Sequence, residues 1–377
     1  MRVLHITAAY KPAVIYGGPT MSVAMLCEEL VRANIDINVY TTTANGPAEL
    51  AVDTNRPVDV DGVPVNYFKR ITKDHTHYSP ALLKAVWKNA NSYDVVHIHA
   101  WWNLVSVLAC AIALARKVPV VVSPRGMLSA YSFSNKNIGA KSTIHTFLGK
   151  RLLAKSHIHT TSAHETEAVV KLVKPLSVTS LPNFVKLSEI KSVPNNTPGD
   201  ILKLLFFSRI EEKKGLDILI DALKNVTIPY HLTIAGDGDK GYIEQLKTLS
   251  HGIEQHITWA GFYGDDKYEL LQQHHLLVLP SHDENFGNVV IESLSVGTAV
   301  LISEYVGLAD YVADHTFGWV CQTNPQSVGD AITGVHQNGQ KKLAAIRQNA
   351  PAIVRNDFTG SILTQKYISF YGQIINA

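Results

Sequence analysis

Pro280-Ser281-His282-Asp283-Glu284-Asn285-Phe286-Gly287-Asn288-Val289-Val290-Ile291-Glu292 decides the fold class of this chain. Just before it, Leu276-Leu277-Val278-Leu279 is a continuous apolar run with the length of a buried parallel strand. Just after the turn, Asn288–Val296 carries a helical apolar period and stops at Gly297. Glu284 in the turn and Glu292 one helical segment further on are therefore expected at the carboxyl end of a strand. Open α/β sheets bind their ligands there. Carboxylate oxygens accept from sugar hydroxyls, and backbone N–H groups at a helix start suit phosphate.

Outward from this stretch the same alternation recurs. Strands are expected at Leu202–Phe207, His231–Ala235, His256–Ala260, Leu276–Pro280 and Ala299–Ser303, with helices at Leu216–Lys224, Gly241–Leu249 and Lys267–His274 between them. An earlier series holds strands at Val3–Thr7, Ile37–Thr42, Val63–Phe68, Val95–His99, Val118–Ser123 and His157–Thr161. Its helices are expected at Thr20–Ala33, Pro80–Asn91, Leu104–Ala115, Lys141–Ala154 and His164–Val173. Strand–helix alternation at this spacing implies parallel sheets. The Asn-, Pro- and Ser-rich segment Lys191–Gly199 separates the two series and reads as a linker.

The expected organisation is thus two Rossmann-like lobes facing a cleft. Residues 1–185 form the first lobe, 186–200 a linker, 201–356 the second lobe, and 357–377 a terminal helix that can cross back to the first. A chain of 377 residues has room for two cores of this kind. Hydrophobic content of 46% and charged content of 18% are those of a globular protein. A net charge of +2 gives no global field for nucleic acid, so any phosphorylated ligand must be held by local charges. Cys27, Cys110 and Cys321 lie far apart and read as buried small hydrophobes of a reducing compartment. Met1–Thr7 reads as a first strand and no apolar run approaches the ~18 residues of a membrane span, so the expected location is cytoplasmic.

The second lobe opens with Ser208-Arg209-Ile210-Glu211-Glu212-Lys213-Lys214-Gly215. Arg209 ends a strand and Lys214 precedes a helix at the same sheet edge as Glu284 and Glu292. A guanidinium and an ammonium there can neutralise a diphosphate as negative charge builds on it. No Asp-x-Asp metal motif accompanies the cleft strands. Tyr16-Gly17-Gly18-Pro19-Thr20 lies in the first strand-to-helix connection and lets backbone approach a ligand, but it lacks the dinucleotide G-x-G-x-x-G pattern. Gly236 and Gly238 end another strand, where they either line a donor pocket or make a plain turn. His97 and His99 alternate along one strand face beside Trp101-Trp102. A metal site would need a third ligand, and none has suitable spacing. His97 is expected in the core and His99 on the interdomain or acceptor side.

Taken together, Gly17-Gly18, Ser208-Arg209 with Lys213-Lys214-Gly215, Ala235-Gly236-Asp237-Gly238, and Pro280-Ser281 through Glu292 resemble the family-four retaining glycosyltransferases of the GT-B fold. The resemblance covers nearly the whole chain. It implies Arg209 and Lys214 on the donor diphosphate, Glu284 on the sugar hydroxyls and Glu292 on the nucleotide ribose. Asn285, Phe286 and Gly287 would supply backbone N–H groups, Gly236 would line the donor pocket, and the Gly17-Gly18 loop would flank diphosphate and acceptor. Relatives carry a histidine after the fifth strand; Ser123-Pro124-Arg125-Gly126-Met127-Leu128 places Arg125 there. Arginine is no base at neutral pH, so Arg125 is assigned to binding an anion or sugar on the acceptor side, with His99. Asn183 stands where relatives have Pro-Asn-Gly, but Phe184 departs from that glycine.

The resemblance further implies a nucleoside-diphosphate sugar as donor, UDP favoured over GDP, and a glycan or lipid-linked acceptor in surface polysaccharide synthesis. It implies no cofactor and no metal. The stretch 135–157, with Lys136, Lys141, Lys150, Arg151 and Lys155 among apolar residues, is a candidate peripheral contact with an anionic membrane. Two rivals remain: a nucleotide-sugar epimerase of the same architecture, which would need catalytic acids in the first lobe, and a non-catalytic two-lobed sugar-binding protein.

Overall fold

The apolar run Leu276–Leu279 is a strand buried along its whole length, as a strand covered on both faces must be. It belongs to the second of two compact units, Met1–Phe184 with Phe358–Ala377, and Val185–Asp357. The computed structural model describes residues 1–129, 131, 148–188, 199–264 and 266–376. Most of the expected linker and of the basic stretch 135–157 lies outside the described residues; Lys150–Ala154 at the end of that stretch is helical.

The first unit contains β1 (Arg2–Ile6), β2 (Asp36–Thr42), β3 (Ala44–Asn45), β4 (Ala48–Glu49), β5 (Val58–Val60), β6 (Val63–Phe68), β7 (Val95–His99), β8 (Val120–Ser123), β9 (His157–Thr160) and β10 (Ser177–Ser180). Eight of them form one sheet in the order β10-β9-β8-β7-β1-β2-β6-β5, while β3 and β4 pair separately. Only β5 runs antiparallel in that sheet, against β6. Strand residues alternate between two cores. Leu4, Ile6, Val96, Ile98, Val120 and Val122 face helices Pro80–Asn89 and Leu104–Ala115. Val3, Val95 and Val121 face the other way, against helices Gly18–Arg32 and Gly360–Ile375. Leu363, Tyr367, Phe370, Tyr371 and Ile374 of the terminal helix are buried in that second core, so the terminal helix is an integral layer of the first unit.

The second unit holds β11 (Leu202–Phe207), β12 (Tyr230–Ala235), β13 (Ile257–Gly261), β14 (Leu276–Leu279), β15 (Ala299–Ser303) and β16 (Gly318–Cys321). All are parallel, in the order β13-β12-β11-β14-β15-β16. Strand order reverses between β11 and β14, which makes their carboxyl ends the switch point of this sheet. Beyond β15 the chain adds helices Ala309–Asp314, Pro325–Asn338 and Gln340–Asp357, the last running through Pro351. These doubly wound sheets give the chain its α/β class.

Candidate functional site

The loops leaving β11 and β14 are stitched to one another. Gly215 sits at φ +69°, a left-handed conformation, and a Cβ there would fall on the Pro280 carbonyl oxygen. The His282 N–H donates to the Lys213 carbonyl at 2.9 Å, and Lys213 Nζ pairs with Asp283 at 2.9 Å. Lys214, at the end of the short turn Glu212–Lys214, donates to Glu284 Oε2. Both residues of that pair are largely buried, with side-chain exposures of 11% and 20%. The β15 side closes around the same loop: Glu284 N–H donates to the Tyr305 carbonyl at 3.0 Å and Gly307 N–H to the Glu284 carbonyl at 2.8 Å.

Burial alone would push the Glu284 carboxyl up. The Lys214 ammonium beside it, its hydrogen bond, and the charges of Lys213 and Arg209 outweigh that and hold it below the usual carboxylate range. Glu284 is therefore an anion, an acceptor for hydroxyls and not a proton donor. Gly287, at φ +91°, opens helix Asn288–Ser295 and lies against Val306 and the Glu284 stem. One turn inside that helix, Glu292 pairs with Lys267 at 2.8 Å, and Phe286 is buried at 3% exposure. Arg209 is exposed, at 58% of its side chain, with Glu211 as ion-pair partner at 3.3 Å. A Cβ at Gly236 would strike the Ser208 carbonyl, and one at Gly238 the Ile210 carbonyl, so these glycines let the β12 loop close onto the Arg209 loop.

In the first unit, the carboxyl ends of β1 and β7 carry histidines on the face turned toward the terminal helix. Parallel register pairs His5 with His97, and His99 follows two residues on. His5 Nδ1 lies 2.9 Å from His99 Nε2. Arg125, at φ +53°, reaches His99 Nδ1 with Nε at 3.4 Å and Nη2 at 3.3 Å. Its Nη1 donates to Ser22 Oγ at 3.1 Å and Asn183 Oδ1 at 2.9 Å.

The tautomers follow from the ends of these chains. A guanidinium only donates, so His99 Nδ1 accepts and its Nε2–H points to His5. His159 Nε2 lies 3.0 Å from the Leu181 carbonyl and so carries the proton; its Nδ1 then accepts from Ser123 Oγ at 2.6 Å. Ser123 Oγ in turn accepts from His97 Nε2–H at 2.6 Å, and His97 Nδ1 accepts from Tyr371 Oη at 2.7 Å. Burial, reinforced by the Arg125 charge, pushes His5 and His159 down to about 3. His97 and His99 fall well below their ordinary value, first through burial and then through neighbouring histidines and Arg125. All four rings are neutral at physiological pH.

Family models match both halves of the chain: "Glycosyl transferase 4-like domain" over residues 17–183 and "Glycosyl transferases group 1" over 188–352. The chain belongs to the group 1 glycosyl transferases. An uncharacterized glycosyltransferase of Methanocaldococcus jannaschii, MJ1607, is 24% identical over 89% of either chain. Among solved structures, sucrose-phosphate synthase of Thermosynechococcus elongatus superposes with a TM-score of 0.76 at 16% identity, covering 100% of this chain and 99% of its own. Anabaena HepE, solved in complex with UDP and glucose, gives 0.75 at 20% identity, covering 99% and 100%. Both likenesses concern the GT-B fold.

In this glycosyltransferase, Lys214 and Glu284 meet directly, while Glu292 lies on the helix that follows the Glu284 loop, with Lys267 as its partner. Arg209 shares their sheet edge without contacting either carboxylate among the described residues. Gly17 is the N-cap of helix Gly18–Arg32, at φ +66°. His99 is only 1% exposed and faces Arg125.

One expectation is corrected: a third histidine does stand with His97 and His99. It is His5, on the neighbouring strand, and the three offer ring nitrogens within 4.8 Å of one another. Sequence spacing concealed it because strand register, not chain proximity, brings it there. The donor set nevertheless suits hydrogen bonds better than a cation. Both His97 nitrogens are engaged, His5 and His99 share a proton, and a guanidinium abuts the group. Lys213, Asp283, Lys267, Ser123, His159, Tyr367 and Tyr371 are given no role in the site by the sequence alone. Only the repeated His-x-His of β7 and β9 offered a signal for any of them.

Proposed function

We propose that this glycosyltransferase moves a sugar from a nucleoside-diphosphate sugar, a UDP-sugar before a GDP-sugar, to a hydroxyl of a glycan or lipid-linked acceptor. Configuration is retained and no metal ion is required. The observation that carries this reading is the Lys214–Glu284 pair at the switch point of the second unit. It puts a cation suited to phosphate beside an anion suited to sugar hydroxyls. The binding of UDP and glucose by HepE supports the choice of donor.

In the transfer step the bond from the anomeric carbon to the diphosphate oxygen breaks, and the ring becomes oxocarbenium-like. The departing nucleoside diphosphate gains charge, which Lys214 and Arg209 stabilise; one such donor is worth about 3–4 kcal/mol. The acceptor hydroxyl bonds to the anomeric carbon on the face the diphosphate leaves, and its proton passes to a phosphate oxygen. No protein nucleophile is needed. Glu284 holds sugar hydroxyls, Glu292 the ribose hydroxyls, and Asn285, Phe286, Gly287 and Gly236 line the donor. The Gly17-Gly18 loop flanks diphosphate and acceptor, and His99 and Arg125 serve the acceptor side.

The setting that fits is the inner face of a cell membrane, with a surface polysaccharide or glycolipid as product. No described helix is long and apolar enough to cross a membrane. A nucleotide-sugar panel read by thermal shift tests the donor assignment. At a hundredfold excess over Kd, a true donor stabilises by about 2.7 kcal/mol. UDP-sugars should raise the unfolding temperature; a panel with no stabilising member contradicts the reading.

A further inference from the structure

Arg125 carries a charge that Glu165 offsets only through space. Its hydrogen bonds go to His99, Ser22 and Asn183, all neutral acceptors. Among the described residues no carboxylate lies within ion-pair distance of its guanidinium. The nearby Glu165 is spent on the Gly126 and Thr161 N–H groups, at 2.7 and 2.8 Å. The four histidines packed beneath are neutral. Of the five N–H donors of a guanidinium, four are engaged in these bonds, which leaves one. The Ser22 contact sets the group one turn inside helix Gly18–Arg32, whose first turn contains no acid and presents the positive end of its dipole. Arg125 is partly exposed and so open to a ligand. A desolvated cation beside a positive helix end, with no carboxylate in ion-pair contact among the described residues, favours an anion.

We propose that Arg125 recognises an acidic group carried by the acceptor, a phosphate or a carboxylate. This rests on reading the first unit as the acceptor side of the transferase. His99 and Asn183 fix the guanidinium plane, so that a tetrahedral or planar oxyanion meets an oriented N–H rather than a mobile charge. An oxyanion is also a stronger acceptor than Ser22 Oγ and would displace it.

The test uses the full chain saturated with UDP, titrated with inorganic phosphate or with glucuronate at constant ionic strength in chloride, and followed by thermal unfolding. One of the two anions should stabilise saturably, with an apparent affinity at least tenfold weaker in Arg125→Gln and intermediate in Arg125→Lys. Phosphate alone would mark a phosphorylated acceptor, and glucuronate alone a carboxylated one. Equal response of wild type and Arg125→Gln to both anions would overturn the proposal. So would the absence of saturable stabilisation of the UDP-saturated wild-type protein by either anion. That outcome needs no variant and decides the matter if Arg125→Gln does not fold. Failure of the wild-type protein to bind UDP would count against the donor assignment instead.

Discussion

Lys214 and Glu284 stand 70 residues apart in sequence and close an ion pair across the β11–β14 switch point. Neither can move independently of the other's loop, because Gly215 packs on Pro280 and His282 bonds to Lys213. The pair therefore presents cation and anion at a fixed spacing before any ligand arrives, and preorganisation of that kind is what an electrostatic leaving-group site requires.

The two glutamates should separate kinetically. Glu284→Gln removes an anion next to the reacting sugar and should lower kcat by about a hundredfold or more. Glu292→Ala removes a ribose contact that is the same before and during the reaction. It should raise the donor KM about tenfold with kcat within a few-fold. Steady-state kinetics with the preferred donor decide this, and equal effects on kcat would contradict the division of roles.

Gly215→Ala should destabilise the second unit by about 3 kcal/mol or more. The residue holds a left-handed φ, and the added methyl would overlap the Pro280 carbonyl. Urea unfolding measures it; a midpoint within error of wild type would show that the two loops can part without cost.

The buried histidine layer sets an acid limit. His5 and His159 have folded pKa values near 3, against about 6.5 unfolded. Between those values the unfolded chain binds more protons, so stability is complete above about pH 6.5 and falls as pH drops toward 3. Each such histidine costs about 2 kcal/mol by pH 5. Unfolding temperature followed from pH 7.5 to 5 should decline, and less steeply in His159→Gln. A flat profile would mean the rings are protonated in the fold.

Chelation tests the role of the cations. With Arg209 and Lys214 supplying charge at the leaving group, exhaustive EDTA treatment should leave the transfer rate unchanged. A rate lost to EDTA and restored by Mg²⁺ or Mn²⁺ would show that a metal shares that task.

Much of the second unit could be read from the chain because its central strands β14 and β15 are near-continuous apolar runs, buried along their length. Gly215 and Gly287 also mark turns that only permissive backbone can make. The stretch 304–356 was not legible, unlike the terminal helix beyond it. Its helices are largely polar, and the one containing Pro351 runs through a residue that ordinarily ends a helix. Within the site, Lys214 and Glu284 were recognisable as residues but not as a pair. Contacts between parallel strands depend on order and register, which local sequence does not encode. For the same reason His5 stayed hidden beside His97, and Tyr367 and Tyr371 could not be linked to the histidines they contact.

The central claim is that Lys214 holds the donor's diphosphate. Isothermal titration of UDP into the wild type, Lys214→Met, and the double variant Lys214→Met/Glu284→Gln tests it most directly, since the double variant leaves no unpaired buried carboxylate. A charged hydrogen bond of this kind contributes about 1.5–3 kcal/mol, so both variants should bind UDP about ten- to a hundredfold more weakly. Wild-type affinity in the double variant would contradict the assignment.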